Sequence, residues 1–328
     1  MDQDSLKRPS GVPLAGGDGA NRPPCFLNLE AKARLSEFGA FTTRVERDVV
    51  FKTIGKAVTR GEGIVTPVRT LDHVWSALDN PGVVGVIAPA EIAAEVPETL
   101  GLAVADQPGL AAYLIHEQLA ARPDYFRNGA RVIAEGAVIE PGAIIADRDV
   151  EIGPGAWICS GAVIRPGVRL GRDVKVGPCT VLGADAYEVA SVSGRNRMWT
   201  SVGYVDVGDS VKFGSHDSVV SSAFFAQTRI GANTTFDNFV HVAHDCEIGE
   251  NVRLTACSEV SGRVRIGDNA YLGPNCTISN GVTLGRDCAV TIGSTVTRSV
   301  PDGETVSGYF ALPHEKFMRF FKSVMRNA

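Results

Sequence analysis

The stretch IGANTTFDNFVHVAHDCEIGENVRL, Ile230 to Leu254, decides the fold when it is read in sixes. Ile230, Phe236, Val242, Ile248 and Leu254 are all apolar. The series continues through Val260, Ile266, Leu272, Ile278, Leu284 and Val290 to Val296. Four residues after each lead position stands a small or β-branched residue, among them Thr234, Val240, Cys246, Val252, Ser258 and Val264. Glycine often follows the lead, as at Gly249, Gly267 and Gly285. This period matches neither the 3.6 residues of a helix nor the two-residue alternation of an ordinary strand. It is the mark of a repeat architecture. Each hexad reads as a short strand plus a turn, and three hexads make a coil of about eighteen residues. Successive coils then stack at strand spacing, about 4.8 Å. The expected fold is a parallel β-helix.

Upstream, the same phase holds at Ile152, Ile158, Ile164, Leu170, Val176 and Leu182. An earlier run, Ile133, Ile139 and Ile145, is one residue out of step. The hexads thus span residues 129–300, with a break at 183–206 and an irregularity from Ser221 to Thr228. Cys246, Cys276 and Cys288 fall in the small-residue slot and read as core filler.

Ahead of the prism, residues 27–128 carry short β-type runs, GIVTPV, GVVGVIAP and LGLAVAD. They also contain DQPGLAAYLIHEQLAAR, Asp106 to Arg122. There Asp106 can cap, Pro108 suits the first turn, and Ala111, Leu114, Ile115 and Leu119 share a face. A helix ending near Pro123 is expected, and with it a small α/β domain. Residues 1–26, rich in Gly, Pro and Asp, are expected to be a disordered tail. Residues 301–328 are expected to form a C-terminal helical extension. In it Phe317, Phe320, Phe321 and Val324 form an apolar face, with Lys316, Arg319, Lys322 and Arg326 mostly elsewhere. That helix reads as a packing element or as a basic dock for an acidic carrier protein.

The 328 residues carry a net charge of -5, which lacks the basic footprint of a nucleic-acid binder. The seven cysteines form no CxxC pair, which argues against a zinc or redox motif. No apolar leader and no stretch of transmembrane length is visible, so a cytoplasmic protein with reduced thiols is expected.

Chemistry concentrates in HVAHD, His241 to Asp245. Val242 leads a hexad, so His241 closes the preceding one and His244 takes the third slot of the next, near a prism edge. Gly262 lies eighteen residues on, in the same slot of the next coil, and Asn280 one coil further. Acyl transfer to an amine needs a base for the amine proton and a donor for the oxyanion. His244 can be the base, Asp245 can orient it, and Gly262 can offer an unobstructed N–H. A solvated histidine at a turn is the competing reading.

The hexad pattern resembles the hexapeptide-repeat proteins, which implies a left-handed prism and a homotrimer with clefts between subunits. DNFVHVAHDCEIG further resembles the active-site segment of two hexapeptide acyltransferases of lipid A biosynthesis. One is the UDP-N-acetylglucosamine O-acyltransferase; the other is the UDP-3-O-(3-hydroxyacyl)glucosamine N-acyltransferase. In both, the residue matching His244 is the catalytic base and the one matching Gly262 the oxyanion donor. The Asp245 match is closer to the O-acyltransferase. The N-terminal α/β domain, the helical tail and the stretches VVGVIAPAEIA, ADQPGLAAYLI, GRNRMWTSVGYVDVGD, IGANTTFDN and SGYFALPHEKFMR resemble the N-acyltransferase.

That resemblance implies a nucleotide-linked amino sugar as acceptor. The donor would be a thioester of acyl-carrier protein (phosphopantetheine) or of coenzyme A, with no bound cofactor or metal. It also implies that the N-terminal domain holds the nucleotide. Asn238, His241, Asn280, Asp185 and Tyr187 are expected to line the substrate cleft. The chain departs from the family at Gly183 to Glu188, which read Gly-Ala-Asp-Ala-Tyr-Glu where the family has Gly-Ala-Asp-Gly-Phe-Gly. It departs again at Ser221-Ser222-Ala223, in place of Asp-Arg-Gly, and at Ile292 to Val296, which lack the family's methionines. These differences keep open an O-acyltransferase, or a short-chain acyl-CoA dependent enzyme of O-antigen or capsule synthesis. A carbonic-anhydrase-like metalloenzyme would need a third histidine beside His241 and His244, and His216 falls on another face. A non-catalytic scaffold is the remaining alternative.

Overall fold

A computed structural model describes residues 32–326 apart from 58, 60–61, 123–124, 126–128, 225, 309–310 and 312. The expected tail, residues 1–26, lies outside the described residues, as does Pro123. The chain is mainly β, and most of it forms a left-handed parallel β-helix of triangular section. The first face is an eight-stranded ladder with Arg131–Ile133 at one end and Thr283–Leu284 at the other. The second face runs from Ile144–Ile145 to Thr295–Val296. The third comes in two pieces of three and five strands, joined through single bridges at Lys212. Its last strand, Thr305–Val306, carries the ladder past residue 300.

The sequence period explains the core. All twelve lead residues from Ile230 to Val296 are buried, none more than 7% exposed. Each ends its two- to four-residue strand with the side chain inward, and the small slot four residues on fills the space between. Cys246, Cys276 and Cys288 are buried there, and burial pushes the thiols of Cys246 and Cys288 up to about 12 and about 11. They are packing groups. The early run is out of step because its register slips by one residue: Ile133 pairs with Ile152 and Ile145 with Ile164.

Two longer steps interrupt the stack. Ala184 and Ser221 are 37 residues apart yet hydrogen-bonded, and Asp217 and Val240 are bonded across 23, where a regular pair such as Asn233 and Asn251 spans 18. The extra residues sit at one corner, after the second face and before the first. The first detour includes an antiparallel hairpin, Val189–Val192 with Arg195–Met198; the second is the Ser221–Ala226 segment. Inside the prism at the second step lies Asp217, a carboxylate in an inward slot. It accepts from the Val240 N–H at 2.9 Å, while its own N–H donates to Thr180. Burial pushes it up to about 7, against the pull of backbone N–H groups of Val240 and Gly214.

The N-terminal unit is a five-stranded sheet of Arg44–Arg47, Gly101–Val104, Val83–Ala88, Ile64–Pro67 and Thr53–Ile54, with only the first strand antiparallel. The helix spans Pro108–Ala120, and its N-cap is Gln107 rather than Asp106. Asp106 instead accepts a long bond, 3.5 Å, from Thr43. The one-faced reading of this helix also needs correction. Ala112, Tyr113 and His116 are buried as well as Ala111, Ile115 and Leu119, while Leu114 is only half-buried. The reason is the hairpin detour, which returns across the helix. Trp199 packs edge-on against Tyr113 and Phe224 and tilts against His116, at centroid distances of 5.1–5.2 Å. The N-terminal unit and both detours therefore share one hydrophobic core. The C-terminal helix, His314–Arg326, buries none of its residues against the described chain, so the reading of it as a packing element within this chain does not hold.

Candidate active site

The corner that carries the detours also carries His244. Eighteen-residue stacking sets His244, Gly262 and Asn280 in one column, and the Arg263 N–H donates to the His244 carbonyl at 2.9 Å. A Cβ placed on Gly262 would lie 2.8 Å from both Cε1 and Nε2 of His244 and 3.0 Å from Nδ2 of Asn280. The glycine is required here for space, since its φ is not left-handed. Among the described residues its N–H donates to no group, and neither does Asn280 Nδ2. Both are free to receive an oxygen.

Asp245 reaches its neighbour because the corner turns the chain. With φ of 61°, a conformation Asp tolerates well, Asp245 folds back so that Oδ2 lies 2.8 Å from His244 Nδ1. With Nδ1–H donating to the carboxylate, Nε2 is left as the acceptor. Burial would raise the Asp245 carboxyl, but hydrogen bonds from His244 and Ser222 and the charge of Arg263 hold it below the usual carboxylate range. The strands on either side of the second detour fix its backbone: the Asp245 N–H donates to Thr228, whose hydroxyl donates to the Val220 carbonyl at 2.6 Å.

His244 stands near a prism edge, as its slot predicts, and the competing reading of a solvated histidine does not hold. It sits at the corner but is only 8% exposed, because the first detour closes over it. Glu188 Oε1 comes within 3.7 Å of His244 Nε2. The same oxygen accepts from Lys56 Nζ of the N-terminal unit at 2.5 Å and from Arg263, one coil above Asp245. Burial pushes Lys56 below the usual ammonium range, and the Arg263 charge adds to this against the Glu188 hydrogen bond. The sequence marks Glu188 and Ser222 as departures and Thr228 as the end of an irregularity without giving any of them a role, and it gives no sign of Lys56 or Arg263.

The structure gathers only some of the residues expected to line the cleft. Asn280 stands above Gly262. His241 points outward from the second face, in register between Ser218 and Glu259; burial holds it below the usual range against the pull of Glu259, with His244 adding to the depression. Asn238 belongs to the neighbouring corner, where it accepts from the Ser215 N–H, so it is not brought to His244. Tyr187 is 79% exposed. Asp185 pairs with Arg165 at 3.3 Å and lines a cavity of about 550 Å³ with Arg148, Trp199 and Ser221. His216 stacks on Phe239, away from His244, and among the described residues no group of three or more acidic, His or Cys side chains could hold a metal ion.

Comparison with known proteins bears on this site. The family described as bacterial transferase hexapeptide (six repeats) matches residues 149–184 and 227–262, and the hexapeptide repeat of succinyl-transferase matches residues 263–298. The chain is similar to UDP-3-O-acylglucosamine N-acyltransferases from several bacteria. It is 32% identical to that of Caulobacter sp. (strain K31), over 36% of this chain and 34% of the relative. It is 25% identical to that of Pseudomonas syringae pv. syringae, over 70% and 71%. It is 37% identical to UDP-3-O-acylglucosamine N-acyltransferase 1 of Gloeobacter violaceus, over 46% and 43%. The chain thus spans less than half the length of two of these relatives. Among solved structures, LpxA from Acinetobacter baumannii matches 58% of this chain and 77% of its own, with 24% identity and a TM-score of 0.43.

Proposed function

We propose that this hexapeptide-repeat chain is an acyltransferase that moves an acyl group, a 3-hydroxyacyl group among the candidates, from a carrier thioester to the amine of a nucleotide-linked amino sugar. Support comes from its likeness to proteins named UDP-3-O-acylglucosamine N-acyltransferase. The observation that carries the reading is the His244–Asp245 pair, which leaves Nε2 as the accepting atom beside the side-chain-free Gly262.

In this mechanism the amine nitrogen bonds to the thioester carbon as His244 Nε2 takes one of its protons. The carbonyl electron pair moves onto oxygen, which the Gly262 N–H and the Asn280 amide receive. Collapse restores the carbonyl and breaks the C–S bond. The sulfur leaves with that pair and takes the proton back from His244. Asp245 holds the imidazole in the tautomer that the first step needs and stabilises the imidazolium that follows. The donor is acyl-carrier protein or coenzyme A thioester. The N-terminal unit is assigned the nucleotide, and the protein is assigned to the cytoplasm as a homotrimer. Among the described residues no helix is long and apolar enough to cross a membrane.

The test supplies a panel of acyl thioesters and UDP- or dTDP-linked amino sugars and follows product by mass spectrometry. His244→Ala is expected to lower kcat by roughly 10²-fold or more, with an unchanged melting temperature. Wild-type turnover in that variant would remove His244 from the mechanism. Failure of every amino sugar to accept acyl would remove the reading itself.

A further inference from the structure

The geometry points to Glu188 as the residue that makes this site choose an amine over a hydroxyl as acyl acceptor, an inference that rests on the acyl-transfer reading above. His244 Nε2 and Glu188 Oε1 lie 3.7 Å apart. An atom seated between the imidazole and the carboxylate can be within ordinary hydrogen-bond distance of both, about 2.7–3.2 Å. A primary amine carries two hydrogens and one lone pair. It can give one hydrogen to His244 and one to Glu188 while its lone pair faces the thioester. A hydroxyl has one hydrogen, so in the same seat it must turn a lone pair toward one of the two acceptors. A site built to bond a donor rejects the analogue that lacks it, because its own buried polar group is left unpaired.

Glu188 is anchored for that bond. Lys56, from the N-terminal unit, and Arg263, from the prism, both bond to Oε1, and no bond from a described residue uses Oε2. Each carboxylate oxygen has about two lone-pair positions, so Oε1 is taken up by its two cations and Oε2 is the oxygen that accepts the second amine hydrogen. Arg263 holds its end from a left-handed corner with φ of 63°. Asp and Asn supply most of the non-glycine residues in that conformation here, and a long side chain in it stores strain. The remaining charged neighbour, Asp245, lies on the far side of the imidazole, 4.0 Å from Arg263 Nε and engaged with Nδ1.

The experiment compares one nucleotide-linked sugar bearing an amine with its hydroxyl counterpart, in the wild-type full chain, E188Q and E188A, with melting temperatures recorded. The amine-to-hydroxyl ratio of kcat/KM should fall about 10²-fold in E188A, the loss of one charge-assisted hydrogen bond, and by an intermediate amount in E188Q. An unchanged ratio overturns the assignment even if both rates drop together, since packing alone would lower both. The pair is taken from the panel above; if the wild type turns over no acceptor of that panel, the acyl-transfer reading fails, and calorimetric binding of the same pair judges Glu188 separately. Tighter binding of the amine, lost in E188A, supports amine recognition; equal binding of the two by the wild type overturns it.

Discussion

The coils after Ile230 and the two detours before it divide the work of this molecule. In the coils every position answers to its neighbour eighteen residues away, so the requirements are inward bulk, a small filler and a tight corner. The detours obey none of these, yet they deliver Glu188 and Ser222 to the corner where His244 stands. Regular repetition builds a column of atoms, and departure from repetition gives that column a chemical environment.

This division can be broken from either side. Ile266 is fully buried in the first face, between Ile248 and Leu284. Ile266→Ala should lower stability by about 2–5 kcal/mol in denaturant titration, through lost transfer energy and a residual cavity. The kcat of the remaining folded protein should be unchanged. Gly262→Ala should do the reverse. Its Cβ displaces the imidazole and fills the oxyanion seat, so kcat/KM should fall by roughly 10²–10³-fold with little change in melting temperature. Gly249 is the control: there a Cβ meets the Asp268 backbone N at 2.8 Å and the Gly267 carbonyl carbon at 2.9 Å, so Gly249→Ala should lower stability and spare catalysis. Gly262 and Gly249 variants that behave alike would erase the distinction.

The smallest of these effects belongs to Asp217. Its folded value, about 7, lies above the ordinary 3.8, so the folded state binds the extra proton between these two values. Stability should therefore be full at acidic pH and decline as pH rises through 7. Between pH 5 and 8 the loss should be on the order of 2 kcal/mol. Asp217→Asn keeps an acceptor for the Val240 N–H and should flatten that slope, which thermal melts across the pH range would read. An unaltered slope would mean that another group carries the titration.

The prism was legible because each inward side chain repeats one demand, and twelve repetitions leave little room for another period. The His244, Gly262 and Asn280 column was legible for the same reason. Asn238 shows where that reasoning fails. It shares the hexad phase of His244 but differs by six residues, so it has the same slot on a different corner. Tyr187 and Glu188 show a second failure. They are adjacent, and one is exposed while the other turns inward, a choice set by how the detour lies across the N-terminal unit. Lys56 and Trp199 could be placed only through that same docking. A distant segment meeting an aperiodic one leaves no spacing to read.

The long steps also bear on how the molecule assembles. In a stack whose coils touch only their neighbours, folding spreads from one coil to the next. Closing a loop of twice the length adds only about 0.6 kcal/mol of chain entropy. The 37-residue step between Ala184 and Ser221 is therefore a minor delay to propagation. The ladder can host a long excursion at that corner and still resume in register above it, which makes the corner a natural point for grafting a different sequence onto the same scaffold.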